Sequence, residues 1–339
     1  MRPKLKPLHE QVIVITGATS GNGLATAQEA VRRGASLVIA ARNPEALITI
    51  ERDLSAKGGR VASVVADVSD PEDVSRIAEK AIEEFGGFDS WVNNAAVGLY
   101  GRLDQVPLPD HRQTFDVNYF GTLHGCLIAA EHLRSRPSGA IINIGSILGD
   151  RTIVQQGPYS ATKHAVQALT DTLRMELERE GANISVTLVK PGGCGTPYPE
   201  HARNYMDQPP RIPQPLYHPS IIADAILFAC ETPRRVMYIG GGGVASSLIG
   251  QIAPRLTDKV MEAIGTRMQQ KPGDPGDPAM RDNLYAYRAD SRVTGTQRMW
   301  LRKTSAAVAA QKLPGAAWVG AAVGLGLMAF ARRGLKQRS

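Results

Sequence analysis

The stretch QVIVITGATSGNGLATAQEAVRRG, residues 11–34, decides the fold. It opens with a short β-branched apolar run, QVIVIT (11–16), of the kind that suits a strand buried on both faces. Thr16-Gly17-Ala18-Thr19-Ser20-Gly21-Asn22-Gly23 follows, and then an amphipathic run that ends in Gly34 after Arg32 and Arg33. Charged residues followed by glycine mark a helix C-terminus. Glycines between a strand and a helix let the backbone approach a pyrophosphate, while the helix N-terminus offers free N–H groups and its positive dipole end. Glycine also occurs in tight βα turns for steric reasons alone. The position directly after the first strand favours the phosphate reading.

The same alternation continues outward. SLVIAA (36–41), VASVVA (61–66), DSWVNN (89–94), AIINIG (140–145) and ISVTLV (184–189) read as further buried strands, separated by amphipathic stretches such as PEDVSRIAEKAIEEFG and YSATKHAVQALTDTLRMELEREG. Strand–helix alternation at this spacing predicts an α/β protein with a Rossmann-type doubly wound parallel sheet, helices on both faces and a helical C-terminal extension. Three segments are expected: a catalytic and dinucleotide-binding domain at 8–240, an extension with helix and linker at 241–303, and an apolar tail with a basic end at 304–339.

Composition narrows the function. Of 339 residues, 43% are hydrophobic and 21% charged, which is ordinary for a globular chain and excludes a disordered or collagen-like one. Cys126, Cys194 and Cys230 form no C-x-x-C pair, and the histidines fall in no ligand spacing, so neither a disulfide framework nor a metal site is expected. The net charge of +7 is accounted for by Arg2, Lys4 and Lys6 at one end and Arg332, Arg333, Lys336 and Arg338 at the other. It is a property of the termini, not of a basic face, and with only 5% aromatics no nucleic-acid partner is expected. No apolar signal core follows Met1, so the catalytic core is expected in a reducing cytoplasm.

At the end of the second strand stands Ala40-Ala41-Arg42-Asn43, without the carboxylate that usually binds a ribose 2′-hydroxyl. Arg42 offers instead a planar cationic fork suited to a 2′-phosphate, with Ser20 as a further hydroxyl contact. Its bland alternative is a solvated arginine closing a strand. Asp67-Val68, after the third strand, is placed to meet the adenine, with Asp67 accepting from its amino group; Asp67 is equally a candidate N-cap for the helix starting near Pro71.

The chemical centre is Tyr159-Ser160-Ala161-Thr162-Lys163, which stacks Tyr159 and Lys163 on one helix face. An ammonium beside a phenol favours the phenolate and draws its pKa toward neutrality, so such a tyrosine can act as acid or base in alcohol–ketone interconversion. The pairing alone is common by chance. Ser146, however, ends the strand AIINIGS at the carboxyl edge, where open α/β sheets bind ligands.

With these residues in order, the chain resembles the short-chain dehydrogenase/reductase family, in its single-domain branch. The resemblance covers 10–240 and rests on TGATSGNG, Asp67-Val68, NNAA at 93–96, Asn118 in DVNYFG, Ser146, YSATK and PGGCGT at 191–196. It implies a nicotinamide-dependent oxidoreductase acting on a secondary alcohol or a ketone or aldehyde, the alternative being a cofactor-binding scaffold or redox sensor at a membrane with little turnover. Arg42, with no carboxylate beside it, makes NADP(H) the expected cofactor in preference to NAD(H). By the same resemblance, Tyr159 is the general acid/base and Ser146 hydrogen-bonds the substrate oxygen. Lys163 lowers the Tyr159 pKa and binds the nicotinamide ribose, and Asn118 holds the water of a proton relay. The cofactor would lie against Gly17, Thr19, Ser20, Gly21, Asn22 and Gly23, then Arg42, Asn43, Asp67 and Val68. Asn94 and Ala95 would follow along its length, with Tyr159 and Lys163 also among its contacts, Pro191 and Gly192 framing the nicotinamide and Thr196 on its carboxamide. Two positions depart from the family pattern: Asn22 replaces Ile or Leu, and Ala96 replaces Gly. Backbone N–H groups make the phosphate contacts at the first, and a methyl is tolerated at the second, so an active site is still expected.

The proline-rich segment 195–218, with Tyr198, His201, Tyr205, Met206 and Tyr217, is expected to be a substrate lid for a lipophilic carbonyl, or ordinary loop packing. Cys194 has no basic neighbour and reads as a packing residue. SSLIGQIAPRLTDKVMEAIGTRM is expected to be one or two amphipathic helices against the core or a partner subunit in a homo-oligomer; KPGDPGDPAM (271–280) reads as a mobile linker and RDNLYAYRADSRVTG as polar loop. Residues 313–331, LPGAAWVGAAVGLGLMAFA, carry no charge and precede Arg332 and Arg333, which makes them a candidate membrane anchor or a terminal helix at a subunit contact.

Overall fold

The computed structural model describes residues 3–241, 249–250, 252–276, 280–297 and 299–313. The elements in chain order are β1 (Val12–Thr16), α1 (Gly21–Arg32), β2 (Ser36–Ala41), α2 (Pro44–Ser55), β3 (Val61–Val65), α3 (Pro71–Phe85) and β4 (Ser90–Asn93). Then come β5 (Leu99–Tyr100), α4 (Leu108–Phe115), α5 (Gly121–Arg134), β6 (Gly139–Ile144), α6 (Gly157–Glu180) and β7 (Ile184–Pro191). The remainder is α7 (Tyr198–His201), β8 (Arg203–Asn204), β9 (Leu216–Tyr217), α8 (Pro219–Glu231), β10 (Val236–Ile239), α9 (Pro254–Gln269), β11 (Leu301–Arg302) and α10 (Ala306–Lys312).

Seven parallel strands form the main sheet in the order β10-β7-β6-β4-β1-β2-β3. The chain winds outward in one direction through β2 and β3 and in the other through β4 onward. This places the topological switch between β1 and β4, where a doubly wound sheet opens its ligand crevice. Register aligns the site: Thr16 pairs with Ala40 and Asn93 with Asn143, so the glycine turn, Arg42, Asn94 and Ser146 all leave the same carboxyl edge. On one face Leu24, Ala27, Ile222 and Ile226 from α1 and α8 pack against Ile13, Ile15 and Ile39; on the other, Val74, Ile77, Leu133 and Leu177 close over Val14, Trp91 and Ile141. A fully buried side chain of this size contributes about 1.5–3 kcal/mol relative to exposure.

The six strands expected from the sequence are present. The seventh, β10, was not anticipated, because VMYI is only four residues long and carries a tyrosine. α3 is capped by Asp70, whose carboxylate accepts from the Glu72 amide at 2.9 Å, not by Asp67. The reason is local: Asp70 immediately precedes Pro71, which starts the helix with φ already set. Asp116–Phe120 is a single π turn between α4 and α5, a local widening with no signature in the sequence pattern.

The extension folds back on the core. The lid segment is tied to α9 by the Arg211 amide on the Gln269 carbonyl at 2.8 Å, and β11 pairs with β9. α10 lies along β10, where the Gln311 side chain both donates to the Tyr238 carbonyl at 2.8 Å and accepts from its amide at 2.9 Å. One glutamine amide thus satisfies part of the open sheet edge. Of the tail expected at 304–339, the part up to Leu313 is therefore packed on the sheet, and the apolar stretch from Pro314 lies outside the described residues.

Candidate active site

One continuous cavity of about 570 Å³ runs along the carboxyl edge from Arg42 to Tyr159. Every expected site residue lines it except Gly23 and Asn118. Gly17 sits at φ +66°, and Asn94 braces the turn by donating to the Thr16 carbonyl at 2.9 Å and the Gly17 carbonyl at 3.0 Å. Gly23 faces away from the cavity; a Cβ there would stand 2.2 Å from the Gly17 carbonyl oxygen, so its role is to let the turn close on the helix.

At the chemical end, Ser146 follows β6 and its hydroxyl accepts from the Leu148 amide at 3.1 Å. The Lys163 ammonium lies 5.7 Å from the Tyr159 ring centre and donates to the Ile144 carbonyl at 2.8 Å. Burial pushes the Tyr159 phenol above its usual value, and the Ser146 hydrogen bond only partly offsets this. Burial also pulls Lys163 down, to about 8. The expectation that Lys163 draws the phenol toward neutrality is thus not met in the protein alone. Desolvation acts against both charged forms, and the ammonium spends its contact on a carbonyl rather than on the phenol.

Asn118, fully buried in the π turn, has its side chain committed to protein. Its amide donates to the Val97 carbonyl and to Thr162 Oγ1, each at 3.1 Å, and its oxygen accepts from the Val97 amide at 2.8 Å. Its main-chain carbonyl receives the Thr122 hydroxyl at 2.8 Å. Cys194 is buried and its thiol is pushed up to about 12, which suits packing rather than nucleophilic chemistry.

At the nucleotide end, Arg42 donates to the Asn283 carbonyl at 2.5 Å and the Tyr285 carbonyl at 3.4 Å, and stands 3.5 Å from Asp67. Asn43 caps α2 through the Ala46 amide at 2.9 Å and donates to the Arg288 carbonyl at 2.7 Å. Asp67 accepts from the Ser69 amide and hydroxyl at 3.0 and 2.7 Å. Residues 281–297 therefore cross this end of the cleft, where the sequence suggested only polar loop. Their alternating charges, RDN and YRADSR, were the available signal, yet alternating charge is also what a solvated loop shows.

Tyr198 from the lid places its ring 5.4 Å from that of Tyr159 and donates to Gln156 at 3.2 Å; Gln156 in turn donates to Gln269 of α9 at 2.6 Å. Sequence reading missed both glutamines, since a lone Gln carries no pattern. The cleft suits a nicotinamide dinucleotide: it runs from Arg42 to Tyr159, Gly17, Thr19 and Ser20 of the glycine turn line it, and the buried Asn22 Oδ1, on its wall, has no partner.

The chain belongs to the short-chain dehydrogenase family: the family's model matches residues 11–206. It is an NAD(P)-dependent short-chain dehydrogenase/reductase, acting on CH–OH or C=O groups. It is 46% identical to the uncharacterized oxidoreductase YxnA of Bacillus subtilis over 330 residues, 97% of this chain and 92% of that one, so the similarity runs through the extension. A short-chain dehydrogenase/reductase from Burkholderia phymatum in complex with NAD is 27% identical, with a TM-score of 0.64 over 80% of this chain and all of that one. L-Sorbose reductase from Gluconobacter frateurii, complexed with NADPH and L-sorbose, is 25% identical, with a TM-score of 0.60 over 71% of this chain and 98% of that one.

Proposed function

We propose that the protein is an NADP(H)-dependent oxidoreductase that interconverts a secondary alcohol and a ketone, or an aldehyde, of lipophilic character. The observation that carries this reading is the shared wall: Ser146, Tyr159 and Lys163 line one end of a cavity whose other end is Arg42. The bound dinucleotide supplies hydride chemistry; the chain supplies position and proton. Tyr159 gives its proton to the substrate oxygen or takes it back, and Ser146 hydrogen-bonds that oxygen as charge develops. The phenol, raised by burial, carries its proton at neutral pH and can give it to the substrate oxygen. Lys163 holds the nicotinamide ribose and, while charged, offsets the phenolate. Asn118 serves the proton relay through its main-chain carbonyl, because its side chain is already satisfied.

Arg42 is the 2′-phosphate ligand in this reading. Two of its five N–H groups face protein carbonyls and Asp67 stands 3.5 Å away, so a 2′-phosphate would share the guanidinium with these partners. A lipophilic substrate is supported by Ile147, Ile153, Ile212, Met268 and the lid prolines around the Tyr159 end. The same reading makes the protein a homo-oligomer and assigns 313–331 to a membrane, on the strength of its uncharged run before Arg332 and Arg333. No helix among the described residues is long and apolar enough to cross a membrane. The test is NADPH oxidation against a panel of aldehydes and ketones, with NADH in parallel; turnover confined to NADH, or absent across lipophilic carbonyls, counts against the proposal.

A further inference from the structure

We propose that residues 281–297 are a clasp that forms the outer wall of the nucleotide end of the cleft, so that the dinucleotide enters and leaves only when this part of the extension lets go. The inference rests on the dinucleotide lying in this cleft, and not on its 2′ preference.

The clasp is fastened at two neighbouring acidic hubs, the second of which, through His201 and Asp290, lines the cleft itself. At the first, the buried Asp110 accepts from Tyr285 Oη at 2.8 Å, from Tyr205 Oη at 2.5 Å and from Arg203 at 3.2 Å, while Arg203 also holds Asp282 at 2.9 Å. At the second, Asp290 meets His201 at 3.0 Å and both Arg288 and Arg292 at 3.1 Å. Arg292 reaches on to the buried Glu200 at 2.7 Å, whose other oxygen accepts from the Thr296 hydroxyl at 2.9 Å. Between the hubs, the clasp's own carbonyls sit on the nucleotide site: Asn283 and Tyr285 on Arg42, Arg288 on Asn43, and Arg292 on the Gly21 amide at 2.9 Å. Asn283, Tyr287, Arg288 and Asp290 line the same cavity as Gly17 and Asp67.

Two features make the second hub the latch. It joins the clasp to α7, the start of the lid, so opening there frees both the nucleotide and the Tyr198 side of the cleft. It also closes without slack: a Cβ on Gly295 would stand 2.7 Å from the Thr196 carbonyl oxygen and 2.8 Å from Glu200. The hub's charges are mutually compensating. Asp290 is held well below the usual carboxylate range, first by His201 and then by the arginines, so the latch stays ionised throughout the neutral range.

The experiment is stopped-flow binding of NADPH and of NADH to the full-length protein, followed by nucleotide fluorescence without substrate, for wild type, Asp290→Asn and Gly295→Val. Asp290→Asn removes the latch charge without entering the Arg42 contact; Gly295→Val pries the same place open by volume. The clasp requires association and dissociation rates to rise together, each by about fivefold or more, in both variants and for whichever cofactor binds, with Kd moving less than either rate. Rates within twofold of wild type in both variants, or a change in Kd through one rate alone, would overturn it. Hydrogen exchange on wild type gives an answer that needs no variant: saturating cofactor must protect peptides from 281–297, and unchanged or faster exchange there contradicts the clasp. A preference for NADH would refute the assignment of Arg42 to a 2′-phosphate and leave the clasp standing, whereas unaltered rates would do the reverse.

Discussion

Replacing Arg42 by alanine separates a cofactor ligand from a structural residue. The guanidinium already donates to the Asn283 and Tyr285 carbonyls, so a 2′-phosphate does not find a naked cation. Its gain is the charge-assisted contact made by the remaining N–H groups, in a site where Arg42 is about one-fifth exposed. A hydrogen bond to a charged group is worth about 1.5–3 kcal/mol, and competition from the carbonyls and from Asp67, 3.5 Å away, places the net effect at the lower end. About 1.5 kcal/mol is roughly a tenfold rise in the Kd for NADPH. NADH, lacking the phosphate, should move by less than about threefold, because Gly21, Asn43 and the Asp290 hub still hold the clasp. Titration of nucleotide fluorescence with both cofactors measures the two constants directly. Equal weakening of both would mean that Arg42 acts by fastening residues 281–297, and a wild-type preference for NADH would remove the reason for assigning Arg42 to a phosphate.

Three further outcomes are expected. Lys163 titrates near 8 rather than at the usual 10.5, so its ammonium is lost as pH rises through about 8, and kcat/KM for carbonyl reduction should fall on that alkaline limb; a profile flat to pH 10 would contradict it. The same shift means the unfolded chain binds more protons between those values, so this group's contribution to stability rises with pH across that window. Lys190 and Asp150 form a buried pair at 2.5 Å beneath the Ser146 loop, and Lys190→Met should cost about 3–5 kcal/mol in a urea melt, with the Lys190→Met/Asp150→Asn double variant recovering part of it; additive losses would deny the coupling. A chain ended at Leu313 keeps α10 on β10 and should fractionate as soluble where the full chain pellets with membranes; identical behaviour of the two would remove the anchor from the account.

The sheet was legible because its strands are short apolar runs in strict alternation with amphipathic helices, and both periods survive in the sequence. The site was legible for a different reason: glycines, Arg42, Ser146, Tyr159 and Lys163 all leave one sheet edge, so order along the chain already fixes their neighbourhood. What did not show was whatever depends on contacts between distant polar segments. Residues 281–297 read as loop because their carbonyls, not their side chains, meet Arg42, Asn43 and Gly21, and a backbone contact has no sequence signature. Gln156 and Gln269, whose side chains are buried together 113 positions apart, are invisible because a lone glutamine carries no pattern. The phenol's raised pKa was also out of reach, since the sequence shows that Lys163 is near Tyr159 but not how much water is removed from either.

The central claim is that Tyr159 delivers the proton in a nicotinamide-dependent carbonyl reduction, and the most direct measurement of it is Tyr159→Phe assayed beside wild type on the best carbonyl of the panel. The substitution removes one hydroxyl from the cavity wall and leaves the ring that packs against Tyr198. The account predicts that kcat falls by about a hundredfold or more, the usual scale for a general acid, while the Kd for NADPH stays within about twofold. Turnover within a few-fold of wild type, with cofactor binding intact, would contradict it.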